Sequence, residues 1–343
     1  MRPADRYDRQ RLLPAIGVAG QERLSRARAA IVGCGAIGTV VAEYLARAGV
    51  GRLLLIDRDI VDVSNLGRQI AFTEDDAREG RPKALALAAH LARVNSQIAV
   101  EPRPFDLDFA NARELVADVE IVLDATDNAP TRFLINDLAL ELAVPWIYAG
   151  AIGTGGHVLA FPARGRPCLR CYLPEPPPAG TLPTCDTAGV LGPAVAAVAG
   201  IEAALAIRVL VEGESPRVCG RLLRLDAWHA EWHEARVEGD PACLACAGHR
   251  REFLDGARAD ESVVLCGRGA IQVRPLRRPT ERDALAALAT RLETAGRVER
   301  HAHYLRLRAP DFTMTVFADL RAVFDGLTDG SRARSLYARL IGE

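Results

Sequence analysis

The stretch Ala29-Ala-Ile-Val-Gly33-Cys-Gly35-Ala36-Ile-Gly38 joins a short apolar run to the start of a helical pattern. A second apolar run, residues 52–56, ends at Asp57, 19 residues after Gly38. Glycines spaced in this way let a phosphate approach the first turn of a helix, and an acidic residue after the next strand binds a ribose. The stretch therefore predicts a nucleotide-binding strand–loop–helix unit. A tight turn without a ligand is the alternative interpretation.

Strand-like and helical patterns continue to alternate up to residue 150. Apolar runs at 98–101, 119–123 and 145–149 predict strands, and helices are predicted at 82–94 and 131–143. Such alternation is typical of an α/β fold in which a mostly parallel sheet has helices on both faces. We therefore expect a Rossmann-like architecture.

The character of the chain changes after residue 150. Residues 172–188 include Leu173-Pro-Glu-Pro-Pro-Pro-Ala-Gly-Thr-Leu-Pro-Thr184, which suits neither a helix nor a central strand because proline lacks an N–H donor. We expect this segment to be an exposed crossover loop of the first domain, residues 1–250. Short predicted strands and two helices in residues 251–343 indicate a separate small α+β domain.

Composition and charge exclude several classes of protein. The chain has 343 residues, with 43 Lys and Arg against 44 Asp and Glu, so a net charge of −1 gives no reason to expect nucleic acid or an anionic membrane as a partner. Residues 190–210 are apolar, but Pro193, Gly200, Glu202 and Arg208 interrupt them and predict a buried helix instead of a membrane span. The charged N-terminal residues do not resemble a secretory leader, so we expect a cytoplasmic protein.

Cationic and amide side chains follow the second strand, in Asp57-Arg-Asp59-Ile-Val-Asp-Val-Ser64-Asn65-Leu-Gly-Arg68-Gln69. A dehydrogenase does not need this pattern, whereas an enzyme that handles a triphosphate needs cations to offset phosphate charge. Arg68 offers a planar fork, and Lys83, the only lysine in the chain, offers a point charge. A solvated charged loop describes Arg58 and Asp62 better than it describes Asn65 and Arg68.

Asp127 and Asn128 follow the predicted strand at 119–123, in the sequence Asp124-Ala-Thr-Asp127-Asn128. Parallel strands end at the same edge of a sheet, so these residues are expected near the glycine loop. A carboxylate at that edge suits a Mg²⁺ ion that bridges phosphates. A turn or a helix cap explains Asp127-Asn128 equally well in isolation.

Two Cys-x-x-Cys pairs, Cys168–Cys171 and Cys243–Cys246, can present four thiolates. This donor set matches a closed, tetrahedral structural zinc site, which would fasten the end of the crossing loop to the body of the domain. Disulfides are the competing interpretation, although a cytoplasmic chain is kept reduced.

Cys185 ends the proline-rich segment and precedes Asp186-Thr187-Ala188-Gly189 at the entrance to a helix. A thiol near a helix N-terminus can have a lowered pKa and act as a nucleophile. An exposed cysteine without a chemical role is the alternative.

Together these motifs resemble the ThiF/MoeB/HesA family, which is related to the ubiquitin-activating enzymes. The matching stretches, all within residues 5–250, are Arg6-Tyr-Asp-Arg9-Gln10, Gly33-Cys-Gly-Ala-Ile-Gly38, Asp57-Arg-Asp59, Ser64-Asn-Leu-Gly-Arg68-Gln69, Gly80-Arg-Pro-Lys83, Asp124-Ala-Thr-Asp127-Asn128, the two cysteine pairs and Cys185-Asp-Thr-Ala-Gly189. Ala36 stands where some members have a further glycine.

The resemblance implies a homodimer that uses ATP to adenylate the C-terminal glycine of a small ubiquitin-like sulfur-carrier protein. The nucleotide-binding residues it implies are Gly33, Gly35, Ala36, Gly38, Asp57, Asp59, Ser64, Asn65, Arg68, Lys83, Asp127 and Asn128. Asp57 would hold the ribose, and Asn65, Arg68 and Lys83 would contact phosphates.

Three further roles come from the same resemblance. Arg9 would reach into the partner subunit's ATP site, Asp127 would support Mg²⁺, and Cys185 lies where some members form a covalent link to the carrier. The carrier would become a thiocarboxylate with sulfur from a separate donor protein, since residues 251–343 lack a rhodanese-type loop. That domain is similar to an extension in part of the family, which implies a role in docking the carrier or stabilising the dimer.

Two other functions remain to be separated from this one. An NAD-dependent oxidoreductase would explain the glycine loop, but not Lys83, the segment from Asn65 to Arg68, or the cysteine pairs. A scaffold that binds a ubiquitin-like partner without adenylating it would be expected to lack phosphate-contacting cations, and none is missing here.

Overall fold

The computed structural model describes residues 5–178, 181, 185–258, 262–265, 270–273, 284–301 and 303–342. The chain divides into two compact units. The first comprises Met1–Pro178 and Ala188–Arg258, and the second comprises Ala179–Thr187 and Ala259–Glu343.

The first unit contains an eight-stranded sheet with the strand order β3-β2-β1-β4-β5-β6-β7-β8. Its strands are β1 (Arg28–Val32), β2 (Arg52–Ile56), β3 (Ala99–Arg103), β4 (Ile121–Asp124), β5 (Trp146–Ile152), β6 (Gly155–Phe161), β7 (Arg221–Asp226) and β8 (Glu231–Arg236). Strands β1 to β5 pair in parallel, and β6 to β8 extend the sheet through antiparallel pairs. The expected Rossmann-like α/β architecture is therefore confirmed.

Helices connect these strands and cover both faces of the sheet. They are α1 (Asp8–Arg11), α2 (Gly17–Arg26), α3 (Ala36–Ala48), α4 (Glu74–Glu79), α5 (Lys83–Val94), α6 (Ala112–Leu115), α7 (Ala129–Leu142), α8 (Leu169–Tyr172), α9 (Cys185–Ala188) and α10 (Gly192–Glu212), with α9 at the division between the units. Alternate residues of each central strand enter different apolar clusters, as Ile31 and Val32 do in β1. The sheet thus has a core on each side.

The order in which strands are added to the sheet reverses between β1 and β4. Strands β2 and β3 lie on one side of β1, whereas β4 and β5 lie on the other. In open α/β sheets the crevice at this position, outside the carboxyl ends of the strands, is where ligands bind. The glycine loop follows β1, and the segment with Asp127 follows β4.

Helix α10 is long and apolar enough to cross a membrane, and half of its most apolar window is buried in the fold. It packs against α3, β4, β5 and β6. Glu202 in this helix is fully buried, and burial raises its pKa well above the usual value for glutamate. These contacts agree with the prediction of a core helix.

The second unit contains a six-stranded antiparallel sheet with the order β11-β12-β13-β14-β10-β9. Its elements are β9 (Ser262–Leu265), β10 (Ala270–Val273), α11 (Ala284–Leu292), β11 (Arg297–Arg300), β12 (Tyr304–Arg308), β13 (Thr313–Phe317), β14 (Ala322–Asp325) and α12 (Gly330–Leu340). Apolar residues of the sheet and both helices form one cluster. This is the α+β composition predicted for residues 251–343.

The boundary between the units falls at Arg258, eight residues beyond the predicted one at residue 250. Phe253 and Leu254 cause the difference because they belong to the apolar cluster that contains α7 residues. The backbone N–H of Phe253 also donates to Oδ2 of Asp137 at 3.0 Å.

Asp137 is a fully buried carboxylate in α7, and its Oδ1 has no hydrogen-bond partner among the described residues. Burial raises the pKa of Asp137 to about 6, although the N–H of Phe253 acts in the opposite direction. The folded chain therefore binds this proton more tightly than the unfolded chain does. The contribution of Asp137 to stability is greatest below pH 4 and is lost as the pH rises through about 6.

We predict that Asp137→Asn removes this pH dependence while keeping an oxygen that accepts from Phe253. The difference in the free energy of unfolding, variant minus wild type, should increase by up to about 3 kcal/mol between pH 4 and pH 7. Urea unfolding across this range measures the difference. Asp75→Asn, an exposed site on α4, is the control, and parallel pH profiles for the wild type and Asp137→Asn would contradict the prediction.

Candidate active site

The glycine loop brings the end of β1 into contact with the segment that follows β4. Gly33 has φ of +93°, which favours glycine, and a Cβ there would lie 2.6 Å from the carbonyl oxygen of Ala125. A Cβ at Gly38 would lie only 1.9 Å from the carbonyl oxygen of Gly33. Helix α3 begins at Ala36, and its N-cap residue Gly35 has no side chain that could accept the first N–H groups. The first N–H groups of a 13-residue helix are thus available to an anion.

Asp57 connects the end of β2 to this loop. Its Oδ2 accepts the backbone N–H of Cys34 at 2.6 Å, and its Oδ1 accepts the N–H of Asp59 at 2.7 Å. Burial raises the pKa of Asp57, while the positive charge of Lys83 opposes this shift. The predicted ribose-binding carboxylate is therefore fixed at the glycine loop.

Lys83, the only lysine, begins α5 and points into the same site. Its Nζ lies 3.2 Å from Oδ2 of Asp59, and its side chain is only 6% exposed. Its backbone N–H also donates to the carbonyl oxygen of Asp59 at 2.8 Å. The predicted point charge is thus held by an ion pair beside Asp57.

The segment from Asp62 to Arg68 is ordered by its own side chains. Asp62 accepts the N–H and the hydroxyl of Ser64 at 2.9 and 2.7 Å, and Oδ1 of Asn65 accepts the N–H of Asp62 at 3.1 Å. Nη1 of Arg68 donates to the carbonyl oxygen of Ser64 at 2.9 Å. Ser64 and Asn65 therefore stabilise a 3-10 turn, and their contacts with a nucleotide remain predictions.

The sequence had favoured a solvated charged loop for Arg58, and the structure contradicts that interpretation. Its side chain is 15% exposed, and its Nη1 lies 3.3 Å from Oδ1 of Asp106, which is itself buried. Burial acts to lower the pKa of Arg58, but Asp106, Asp59 and Asp127 raise it overall. The interpretation failed because Asp106, 48 residues further along the chain, was not recognised as its partner.

Gln69, the last residue of the motif that follows β2, is the next residue at this site. It is buried, and its Nε2 lies 3.9 Å from the position a Cβ at Gly35 would take. Within the part of the chain that the structure describes, its Oε1 has no hydrogen-bond partner. Its side chain therefore reaches the glycine loop.

Asp127 and Asn128 differ in their surroundings. Oδ1 of Asn128 accepts the N–H of Thr131 at 3.0 Å and caps α7, which is the structural role considered for it from the sequence. Asp127 is exposed, and its charge contributes to the raised pKa values of Arg58 and Arg132. It thus lies close to both guanidinium groups, at the edge where a phosphate-bound cation is expected.

A polar cluster beside Asp127 was missed from the sequence. It consists of Asp124 at the end of β4, Arg132 on α7, Tyr148 on β5 and His157 on β6. Nε of Arg132 lies 3.3 Å from Oδ2 of Asp124, and Nε2 of His157 lies 2.8 Å from the hydroxyl of Tyr148. The available signal was the presence of polar Asp124, Tyr148 and His157 within apolar strands.

Two predicted residues cannot be placed at this edge. Arg9 is an exposed residue of α1, and its contact with a partner subunit remains a prediction. Cys185 begins α9, but its side chain and residues 182–184 of the predicted crossing loop lie outside the described residues.

The four cysteines of the two pairs form one cluster. Their sulfur atoms all lie within 4.8 Å of one another, with 3.6 Å between Cys168 and Cys243 and 3.5 Å between Cys171 and Cys246. These distances exclude disulfide bonds between those pairs in this structure, since an S–S bond is about 2.05 Å long. Zn–S bonds of about 2.3 Å in a tetrahedron place sulfurs about 3.8 Å apart. The cluster therefore fits a zinc ion.

Burial and the neighbouring thiols raise the pKa of Cys168 to about 12, so binding of a metal ion by this sulfur would release its proton. Four protein ligands would close the coordination sphere, which is typical of a structural site.

Comparison with known proteins shows the family of the chain. The pattern of the ThiF family matches residues 7–245. The chain is 39% identical to the sulfur carrier protein ThiS adenylyltransferase of Bacillus subtilis over 98% of this chain and 99% of that protein. The chain belongs to the ThiF family.

The chain is also similar to a second adenylyltransferase in sequence and to a solved structure in fold. A sulfur carrier protein adenylyltransferase of Thermus thermophilus is 41% identical over 73% of this chain and 94% of its own length. The crystal structure of Escherichia coli MccB with ATP has a TM-score of 0.61 at 24% identity and covers 71% of this chain and 75% of that one, which shows a common fold.

We predict that the purified chain holds one zinc ion in the cysteine cluster. Cys246→Ser should abolish stoichiometric zinc and lower thermal stability, because the remaining thiolates cannot complete the tetrahedron. Elemental analysis and thermal unfolding measure both effects. Cys219→Ala changes a buried thiol outside the cluster, and zinc retained by Cys246→Ser at the wild-type level would contradict the prediction.

Proposed function

We propose that this chain adenylates the C-terminal glycine of a small ubiquitin-like sulfur-carrier protein, with ATP as the nucleotide donor and pyrophosphate as the leaving group. The observation that carries the proposal is the only lysine of the chain, buried beside the glycine loop and paired with Asp59. The family membership and the 39% identity to a ThiS adenylyltransferase support it.

The mechanism requires alignment and charge stabilisation more than proton transfer. The carrier's terminal carboxylate is already a nucleophile, so no general base is needed. One of its oxygens attacks the α-phosphorus of ATP, the bond to the bridging oxygen of the β-phosphate breaks, and pyrophosphate leaves. Negative charge builds up on the phosphates during this displacement, and fixed cations stabilise it.

The chain supplies those cations at defined positions. Lys83 is held at the glycine loop by Asp59, and Arg68 is held by the carbonyl oxygen of Ser64. The open N-terminus of α3 adds N–H donors for a phosphate. Asp57, whose carboxylate accepts the N–H of Cys34 in the same loop, would hold the ribose.

Asp127 fits the expected Mg²⁺ site because this ion usually binds one or two carboxylates together with substrate phosphates. Its exposure leaves the carboxylate open to such an ion. Bound Mg²⁺ would neutralise phosphate charge, and Asp127 would be a ligand of the ion.

The remaining parts of the proposal concern partners. A homodimer would bring Arg9 of one subunit to the ATP site of the other. A separate donor protein would then supply sulfur for a thiocarboxylate, with Cys185 as the residue for a covalent intermediate. The choice among thiamin, molybdopterin and other sulfur-transfer pathways depends on the carrier.

We predict that the wild type catalyses ATP–pyrophosphate exchange that depends on a carrier ending in Gly-Gly, with Bacillus subtilis ThiS as the first carrier in a panel. Lys83→Ala and Asp127→Ala should each lower the exchange rate by about 100-fold or more, because each removes a group that stabilises phosphate charge. Arg93→Ala, an exposed cation on the same helix as Lys83, should leave the rate unchanged.

Two outcomes would contradict the proposal. Nucleotide binding without exchange for any carrier would favour a scaffold that binds a ubiquitin-like protein. Exchange that survives in both site variants would show that the reaction does not use this edge of the sheet.

A further inference from the structure

The polar cluster of Asp124, Arg132, Tyr148 and His157 holds a cation that the nucleotide-binding residues do not account for. The side chain of Arg132 is 19% exposed, and that of Asp124 is fully buried. Nη2 of Arg132 donates to the carbonyl oxygen of Thr126 at 2.6 Å. Its guanidinium carbon lies 4.9 Å from the centre of the Tyr148 ring. Three different neighbours therefore fix the plane of this guanidinium group.

Asp124 is itself held in place. Its Oδ1 accepts the N–H and the hydroxyl of Thr126 at 3.0 and 2.6 Å. Its Oδ2 lies near Nε of Arg132 without a well-formed hydrogen bond. Asp124 thus neutralises the charge of Arg132 but does not use all of the N–H donors of that guanidinium group.

Tyr148 and His157 complete the support for Arg132. Burial raises the pKa of Tyr148, so its hydroxyl keeps its proton. Burial also lowers the pKa of His157 to about 4, so the imidazole is neutral near pH 7. The hydroxyl can therefore donate to Nε2 of His157 at 2.8 Å and accept from Nη1 of Arg132 at 3.5 Å.

The packing at Gly150 is tight. A Cβ at Gly150 would lie 3.1 Å from Nε2 of His157 and 3.7 Å from Nη2 of Arg132. The imidazole and the guanidinium therefore both approach the backbone of β5 at this glycine.

The cations at this edge lie on two sides of the glycine loop. Lys83 and Arg58 pair with Asp59 and Asp106 beyond β2, whereas Arg132 lies between β4 and β5. A reaction between a carboxylate and a triphosphate joins two anions, and each needs its own positive charge. The cations on the β2 side would serve the nucleotide, and on the β4–β5 side the described structure offers Arg132, which is paired with Asp124.

We propose that Arg132 binds the terminal carboxylate of the acyl substrate and that Tyr148 and His157 are positioning residues for it. The proposal rests on the function proposed above. The guanidinium donates to one carboxylate oxygen while the other oxygen attacks the α-phosphorus. Once the acyl phosphate bond forms and pyrophosphate leaves, the carboxylate charge is gone and the ion pair with Arg132 ends.

The first test measures how much of the carrier's affinity depends on its terminal charge. Bacillus subtilis ThiS with its ordinary carboxylate and ThiS with that group converted to an amide would each be titrated by calorimetry. The titrations would use full-length chain saturated with an ATP analogue that has a methylene group between the α- and β-phosphates. The wild type should bind the amide about 10- to 100-fold more weakly, since a charged hydrogen bond is lost.

Arg132→Gln should bind both forms of ThiS with the same affinity, which should be weaker than that of the wild type for the carboxylate form. The effects of the Arg132 substitution and of the amide on the binding free energy are then not additive. Its affinity for the ATP analogue should stay within about threefold of the wild type, because the nucleotide's cations are intact. Arg132→Lys, which keeps the charge without the fork, provides a second variant if the glutamine variant does not fold.

The second test separates positioning from general structural support. His157→Leu should raise the KM for the carrier but not that for ATP, and His157→Gln should restore the KM because its amide oxygen still accepts from Tyr148. Tyr148→Phe should resemble His157→Leu. Thermal unfolding of each variant serves as the control for folding.

Distinct results would overturn the two proposals. A wild type without carrier-dependent exchange would overturn the proposed function and this assignment with it. If exchange is present, equal binding of the acid and amide forms by the wild type would overturn the role of Arg132 alone. Loss of nucleotide affinity in Arg132→Gln would assign Arg132 to the nucleotide, and equal KM values for His157→Leu and the wild type would remove His157 from the mechanism.

Discussion

The close contact between the glycine loop and the backbone after β4 is the constraint on which the candidate site depends. A Cβ at Gly33 would collide with the carbonyl group of Ala125, and a Cβ at Gly38 would collide with Gly33 itself. Without side chains at these two positions, the carboxyl ends of β1 and β4 can lie against each other. This contact brings Asp57, Lys83 and Asp127, which come from different parts of the chain, to one edge.

Each buried cation near this edge has a carboxylate partner in the protein. Lys83 pairs with Asp59, Arg58 with Asp106, and Arg132 with Asp124. Buried ion pairs contribute little to stability because desolvation offsets the attraction. They do fix the positions of the charges in advance, so a polyanion that bound at this edge would meet oriented cations and would need little reorganisation.

Local patterns were sufficient to predict the central strands, the glycine loop and the cysteine cluster. Strand β2 was predicted with its observed bounds because its apolar run ends sharply at Asp57. Strand β8 was missed because all six of its residues are exposed at the sheet edge, which leaves no apolar alternation to detect. The partners of Arg58 and Arg132 could not be predicted, since Asp106 and Tyr148 are brought to them by tertiary packing. Asn65 shows a different limit of sequence analysis. The motif predicted a phosphate contact for this residue but did not predict the local turn that its side chain stabilises.

The presence of a single lysine has a consequence for self-modification. An acyl adenylate can transfer its acyl group to any accessible amine. Lys83 provides the only side-chain amine in the chain, and it is buried and engaged with Asp59. The 42 other basic side chains are arginines, whose guanidinium groups remain protonated and are poor nucleophiles. If the chain makes such an intermediate, its own surface therefore offers no lysine on which a released carrier could form an isopeptide bond.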